Sequence, residues 1–166
     1  MVTALAAVGA LALAAITLSY LKREYTSKYR PYVFPGVHVE PIPDSLGFSV
    51  SVTPKNIGAH PCKVKLSAVA LSIGDERHTT PDMSQWLLLP PSALVKVMYP
   101  AGYVNDIGVT NIREGRYITN RIELRFDMRT ISTEDKYEES ISCAYEIEVR
   151  GEHPQAVLRP EWIENA

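Results

Sequence analysis

Cysteine and histidine are scarce in this chain, which limits the chemistry available to it. Its 166 residues include two cysteines, Cys62 and Cys143, and four histidines. Two widely separated cysteines are too few for a disulfide framework and too far apart for a zinc knuckle, so in a reducing compartment both are expected to be free thiols. The histidines are isolated and lack the paired spacing of metal-ligand motifs. We therefore predict neither a metal site nor a cofactor.

Motifs of nucleotide binding and hydrolysis are also missing. The sequence has no G-x-S-x-G elbow, no phosphate-binding loop, no dinucleotide fingerprint and no H-E-x-x-H pair. Adjacent carboxylates, such as Asp75-Glu76 and Glu138-Glu139, fall at predicted turns or strand ends. Nothing in the sequence places two of them around one cleft. The expectation is a protein that is not an enzyme and has no catalytic residues.

A surplus of basic residues is absent as well. The formal net charge is -2 at pH 7, and the basic residues include a cluster directly after the N-terminal apolar run. The remainder of the chain is therefore distinctly acidic. Because nucleic-acid-binding domains carry a basic patch, this balance argues against nucleic acid as a partner.

One long apolar run is present, at the N-terminus. Residues 2–21 contain no charged side chain. About 20 residues at roughly 1.5 Å rise per residue span about 30 Å, the thickness of a bilayer's hydrocarbon core. The run therefore predicts a transmembrane helix.

Two other interpretations of this run are open. A cleaved signal peptide is favoured by Ala12-Leu13-Ala14, which resembles a cleavage site, but the basic segment with which such peptides begin is lacking. A buried core helix would need a polar face, and Thr3, Thr17 and Ser19 are too few to make one. The membrane-spanning interpretation is preferred.

Basic residues follow the run and none precedes it. Because Lys and Arg stay on the cytoplasmic side, this asymmetry predicts a single-pass protein of the inner membrane, with its N-terminus outside and its domain in the cytoplasm. Tyrosines at the same level are typical of an aromatic belt, and the basic side chains suit anionic lipid headgroups. The predicted lipid-interface residues are Tyr20, Lys22, Arg23, Tyr25, Lys28, Tyr29 and Arg30.

Strand-like alternation dominates the rest of the chain. Residues 48–52, 122–128 and 141–149 alternate apolar and polar at period two. Residues 62–73 first alternate and then become apolar at consecutive positions, which we interpret as a strand passing through the core. No helical period is evident after the apolar run.

These patterns predict an all-β fold, a β-sandwich of about seven strands preceded by one transmembrane α-helix. The predicted segments are residues 1–30 for the helix and its basic flank, 31–150 for the β-sandwich domain and 151–166 for a peripheral C-terminal tail.

Short segments follow the apolar run in a recognisable order. They are Arg30-Pro31-Tyr32-Val33, residues 56–61, and a closing hairpin from Phe126-Asp127 to Lys136-Tyr137. This order resembles a loose class of small bacterial single-pass membrane proteins with an immunoglobulin-like domain. The resemblance implies an architecture and no shared activity. True immunoglobulin domains are less similar, because Ile141 stands where a Tyr is usual, so no inter-sheet disulfide is expected.

Two segments are candidate interaction surfaces. Residues 86–89 are four large apolar side chains in a row, for which we favour burial in the core over a contact surface. Residues 101–116 are interpreted as a long loop, with Tyr103 and Tyr117 at its ends, of the kind that carries binding residues on a rigid scaffold. The possible interaction residues are Trp86, Leu87, Leu88, Leu89 and Tyr103.

The observations together favour a non-enzymatic accessory or scaffold subunit. Its helix would dock in a larger membrane assembly, such as a photosynthetic, respiratory, transport or secretion complex, and its domain would brace that assembly. The partners would then be integral membrane proteins and membrane lipid. An alternative is a membrane-tethered module that binds a small ligand or glycan. An enzyme is the third class, and the missing motifs disfavour it.

The predicted helix carries small residues along one face. Ala6, Ala10 and Ala14 are spaced four apart, and Gly9 lies beside them. Small residues let helix backbones approach closely inside a bilayer, where helix association has no hydrophobic drive. The predicted partner-binding face consists of Thr3, Ala6, Gly9, Ala10, Ala14 and Thr17.

Ala10→Leu tests this face. The substitution makes the helix more lipophilic, so membrane insertion should be unchanged, while association with the partner complex should weaken because the larger side chain prevents close approach. Both can be measured by carbonate extraction of membranes and by co-purification in mild detergent. Equal recovery of partners by the wild type and the variant would reduce the helix to a tether.

Overall fold

The structure, a computed structural model, describes residues 16–21, 30–91, 97–134, 137–150, 153–158 and 164–165. The chain divides into two compact units, Met1–Arg30 and Pro31–Ala166. In the first unit residues 16–21 are helical, and their side chains, including those of Thr17 and Tyr20, are exposed. None of the helices among the described residues has the length and apolar character needed to cross a membrane. Outside the described residues lie Thr3, Ala6, Gly9, Ala10, Ala14, Lys22, Arg23, Tyr25, Lys28 and Tyr29.

The second unit is mostly β. Its strands are β1 (Val33–Pro41), β2 (Phe48–Asn56), β3 (Cys62–Ile73), β4 (Glu76–Thr79), β5 (Leu87–Leu89), β6 (Tyr99–Val104), β7 (Ile122–Ser132), β8 (Glu138–Arg150), β9 (His153–Leu158) and β10 (Glu164–Asn165). One helix, α1 (Asp106–Arg113), lies between β6 and β7.

The strands form two antiparallel sheets. The smaller sheet has the order β1-β2-β6. The larger has the order β10-β8-β7-β3-β4, with β5 also paired to β3 and β9 also paired to β8. The prediction of an all-β fold is thus confirmed for the described part of the domain.

Alternation explains why these segments are strands. In β7 the buried residues Ile122, Leu124, Phe126 and Met128 alternate with the exposed Arg125, Asp127 and Arg129. In β2 the side chains of Phe48, Val50 and Val52 are fully buried. Side chains from both sheets form a single hydrophobic core, so the apolar faces of the two sheets cover each other.

A β-bulge accounts for the two-sided apolar pattern of β3. The register against β7 shifts between Ser67 and Ala70, and Ala68 there has a φ of 51°. The shift changes the phase of the strand, so Cys62, Val64 and Leu66 are buried before it and Val69, Leu71 and Ile73 after it, and Ala70 is buried as well. The pattern that we interpreted as burial on both sides is mainly this change of phase.

A buried hydrogen bond links β1 of the small sheet to β8 of the large sheet. The Tyr145 hydroxyl on β8 donates to the carbonyl oxygen of Pro35 on β1. Burial raises the pKa of this hydroxyl, so it remains a donor at every physiological pH. The Tyr145 ring stacks on Phe126, with ring centroids 6.1 Å apart. The bond fixes the relative position of β1 and β8, because an unpaired carbonyl in the core would be costly.

The sequence pattern suggests a long loop over residues 101–116, and the structure shows that this prediction is wrong. These residues contain the end of β6 and all of α1. The Asn105 side chain caps α1 by accepting from the Gly108 amide, 2.8 Å away. The helix has only eight residues and includes a glycine, so its apolar period is too short to detect. The tail also differs from the prediction, since β9 pairs with β8.

Both cysteines should be chemically inert. Cys62 and Cys143 are free thiols and almost completely buried, and burial raises the pKa of each to about 11. Alkylation at pH 8 should therefore be slow in the native protein and fast in urea, because the thiolate is the reactive form. Cys62→Ser should lower the free energy of unfolding by about 1–3 kcal/mol through the buried hydroxyl.

The reactive thiols are counted with a chromogenic disulfide reagent, with and without urea. The free energy of unfolding is measured by urea melts of the wild type and of Cys62→Ser. Equal reaction rates in the two conditions would contradict the burial of these thiols.

Candidate binding cleft

A cleft of about 310 Å³ lies at one corner of the domain. Strand β4 is the edge of the large sheet there, β6 is the edge of the small sheet, and α1 lies beside them. The cleft is lined by Ile73, Glu76, His78, Gly102, Tyr103, Asn105, Ile107, Gly108, Asn111 and Tyr117. Its lining combines aromatic, apolar and polar side chains.

The turn between β3 and β4 positions Tyr117. Gly74 has a φ of +60°, and a Cβ atom at this residue would lie 2.1 Å from Cγ of the Tyr117 ring. Only glycine therefore permits both the turn and the contact. The Tyr117 ring lies directly over the backbone of this turn, and its hydroxyl is 3.5 Å from Nδ2 of Asn111 on α1.

Asp75 fixes the segment that follows Tyr117. Its carboxylate accepts from the amide of Ile118 at 3.0 Å and from the amide of Thr119 at 3.1 Å. These two bonds stabilise the charged form and lower the pKa of Asp75 below its ordinary value. The turn between β3 and β4 and the segment after Tyr117 are thereby held together at the edge of the cleft.

The opposite wall is anchored by Asp106 at the start of α1. Its carboxylate accepts from the Ser45 hydroxyl and from the Gly47 amide, the latter at 3.0 Å. The hydrogen bond from Ser45 is the main cause of a pKa for Asp106 below its ordinary value. Both walls of the cleft are thus tied to neighbouring segments by carboxylates, which gives it a defined shape.

The cleft offers a small set of polar groups. Nε2 of His78 lies 3.8 Å from Oε2 of Glu76, and both side chains are largely exposed. Asn111 adds an amide on the opposite side. Among the described residues there is no cluster of three or more His, Cys, Asp or Glu side chains suited to hold a metal ion. These polar groups can donate and accept hydrogen bonds.

Exposed apolar side chains surround the cleft. Tyr103 and Ile107 are each 68% exposed, and Ile118, the neighbour of Tyr117, is 97% exposed. Single exposed apolar residues are common on any protein, but three of them around one concavity are typical of a contact surface.

The other predicted surface, residues 86–89, is divided by the structure. Leu89 is fully buried in the core, whereas Leu88 is 60% exposed. Leu87 and Trp86 are partly buried, and the Arg129 guanidinium lies 5.6 Å from the centroid of a Trp86 ring. Burial is thus confirmed for Leu89 alone. Among the other predicted residues, Tyr103 lines the cleft, and Arg30 is partly buried.

The outer face of the large sheet carries ion pairs. Glu123 is buried beneath two arginines, with Nη2 of Arg121 at 3.2 Å from Oε2 and Nε of Arg125 also bonded to it. Arg129 on β7 pairs with Glu138 on β8. The Arg129–Glu138 pair thus joins two strands, whereas Glu123 pairs along its own strand.

Protein-family models, curated protein sequences and solved structures all give no significant match to this chain. The assignment of the cleft therefore rests on its geometry.

A matched pair of glycine substitutions tests the contact that shapes the cleft. Gly74 and Gly115 have nearly the same φ, +60° and +65°, but a Cβ at Gly115 would meet no atom within 4 Å. Gly115→Ala should therefore lower the free energy of unfolding by about 1–2 kcal/mol, which is the cost of holding a residue with a Cβ atom in the left-handed conformation. Gly74→Ala should lower the free energy of unfolding by more, because the added Cβ atom also displaces the Tyr117 ring.

Urea unfolding of both variants gives the two free energies, and near-UV circular dichroism reports the environment of the tyrosines. Equal losses of stability would show that the Gly74–Tyr117 contact contributes nothing.

Proposed function

We propose that this protein is a non-enzymatic accessory subunit, anchored in the inner membrane by its N-terminal apolar run, whose immunoglobulin-like β-sandwich binds a protein partner of a larger membrane complex. The observation that carries the proposal is the concentration of exposed apolar side chains around the corner cleft. Tyr103, Ile107 and Ile118 offer a partner apolar area to bury, and the cleft offers space for an inserted side chain.

Chemical features of the domain support binding over catalysis. Its two thiols are buried and have a raised pKa, so neither is poised as a nucleophile. The carboxylates of Asp75 and Asp106 accept hydrogen bonds from backbone amides and thereby hold neighbouring segments in place. Rigid walls with exposed apolar groups are what a docking site needs, because little conformational entropy is lost when the partner binds.

A pair of charge substitutions tests the docking surface. Ile107→Asp places a charge beside the cleft, and Leu88→Asp places one on β5, at a residue of similar exposure. The tagged full-length chain is purified in mild detergent, and the accompanying proteins are quantified by mass spectrometry. Ile107→Asp should reduce their recovery several-fold, because a desolvated charge opposes burial, whereas Leu88→Asp should leave recovery unchanged.

Equal recovery by the wild type and both variants would contradict a docking role for the cleft. Loss of partners in Leu88→Asp alone would move the docking surface to β5.

A second function, a membrane-tethered module for a small polar ligand or glycan, is favoured by the polar groups of the same cleft. Two tyrosines beside Glu76, His78 and Asn111 combine flat apolar faces with hydrogen-bonding groups, as sugar rings require. In that case Tyr103→Ala would abolish binding to an immobilised oligosaccharide library while leaving the recovery of protein partners unchanged.

A further inference from the structure

Four side chains lie together where the chain enters the domain. Val33 pairs with Asn56 in the register of β1 and β2, and Phe34 pairs with Lys55. Tyr32 lies opposite Ile57, whose amide donates to the Tyr32 carbonyl oxygen at 2.8 Å. Because side chains alternate between the two faces of a sheet, Tyr32, Phe34, Lys55 and Ile57 all point away from the core. We call these four residues the entry patch.

The entry patch is apolar and exposed. Tyr32 is 50% exposed, Phe34 48% and Ile57 62%, and Lys55 is also exposed. Directly opposed residues in a sheet are about 5 Å apart, and residues two apart along a strand are about 7 Å apart, so the four side chains form one continuous surface.

On β1 and β2 the same sheet face becomes polar away from the entry patch. Its remaining outward residues on β1 and β2 are Gly36, His38, Glu40, Thr53, Ser51 and Ser49. The single charge in the entry patch is positive, whereas the charge at the far end of β1, on Glu40, is negative. Among the outward residues of β1 and β2, the large apolar side chains are therefore confined to the entry patch.

The length of the connecting chain limits where the entry patch can lie. A chain spans at most about 3.6 Å per residue, so Tyr32 is within about 7 Å of Arg30 and Phe34 within about 14 Å. Residues 20–30 contain four basic residues and three tyrosines, a composition attracted to anionic headgroups. If Arg30 lies among the headgroups, Tyr32 and Phe34 are within reach of them.

We propose that the entry patch docks on the membrane, with Tyr32, Phe34 and Ile57 in the headgroup layer and Lys55 against anionic lipid. This inference rests on the membrane anchoring in the proposed function. Aromatic rings and a lysine on one surface match the interfacial region, where amphipathic rings and snorkelling cations are favoured. Such docking would hold the domain in one orientation on the membrane surface.

Site-specific fluorescence in vesicles tests this docking. The native thiols are buried, so a cysteine introduced at an exposed residue can be labelled selectively with an environment-sensitive nitrobenzoxadiazole dye. Ile57→Cys and Lys55→Cys report on the entry patch. Ile118→Cys is the matched control, because it is exposed beside the turn at the other end of β3, whose 12 residues span about 40 Å.

Full-length variants are reconstituted into phosphatidylcholine vesicles with and without phosphatidylglycerol, and nitroxide-labelled lipid is the quencher. Dyes at residues 55 and 57 should be quenched several-fold more than the dye at 118, and phosphatidylglycerol should increase this difference. Equal quenching at all three positions would overturn the inference while leaving the anchor intact. If the chain does not float with the vesicles at all, the membrane anchoring of the proposed function fails, and the inference fails with it.

Discussion

The mutual burial of two apolar sheet faces is the interaction on which the rest of this domain depends. Strands β2, β3, β7 and β8 each contribute alternate side chains to one core, and the bond from the Tyr145 hydroxyl to the Pro35 carbonyl links the sheets within it. Since the edges of both sheets are positioned by this core, the corner where β4, β6 and α1 meet acquires a fixed geometry. The cleft is therefore a consequence of how the sheets are stacked.

The strands that cover this core could be predicted from sequence, and the elements at its edges could not. From Leu124 to Arg129 the alternation in β7 is regular, because one face of the strand is buried and the other meets solvent. Strand β4 has four exposed residues and no apolar pattern, and β6 is interrupted by Pro100 and Gly102. The bulge at Ala68 also has no local signature, since it is stabilised by a bond from its amide to Asp82, fourteen residues away.

Some residues of the candidate site could also be identified from sequence, and others could not. Tyr103 and Tyr117 were singled out because they flank a segment without strand alternation, and both line the cleft. Glu76 and His78 were missed, because they reach the cleft only through the pairing of β4 with β3. Contacts between segments far apart in sequence, such as Asp75 with Ile118, leave no periodic trace that sequence reasoning can detect.

The length of strand β3 separates the end of the domain near Asn56 from the end that forms the cleft. Its first residues lie near Asn56, whose side chain donates to the His60 carbonyl, and its last residues form one wall of the cleft. Twelve residues in extended conformation measure about 40 Å, more than the hydrocarbon thickness of a bilayer. If the entry patch docks on the membrane as proposed, a partner that reaches the cleft at the other end of β3 therefore needs a portion outside the bilayer.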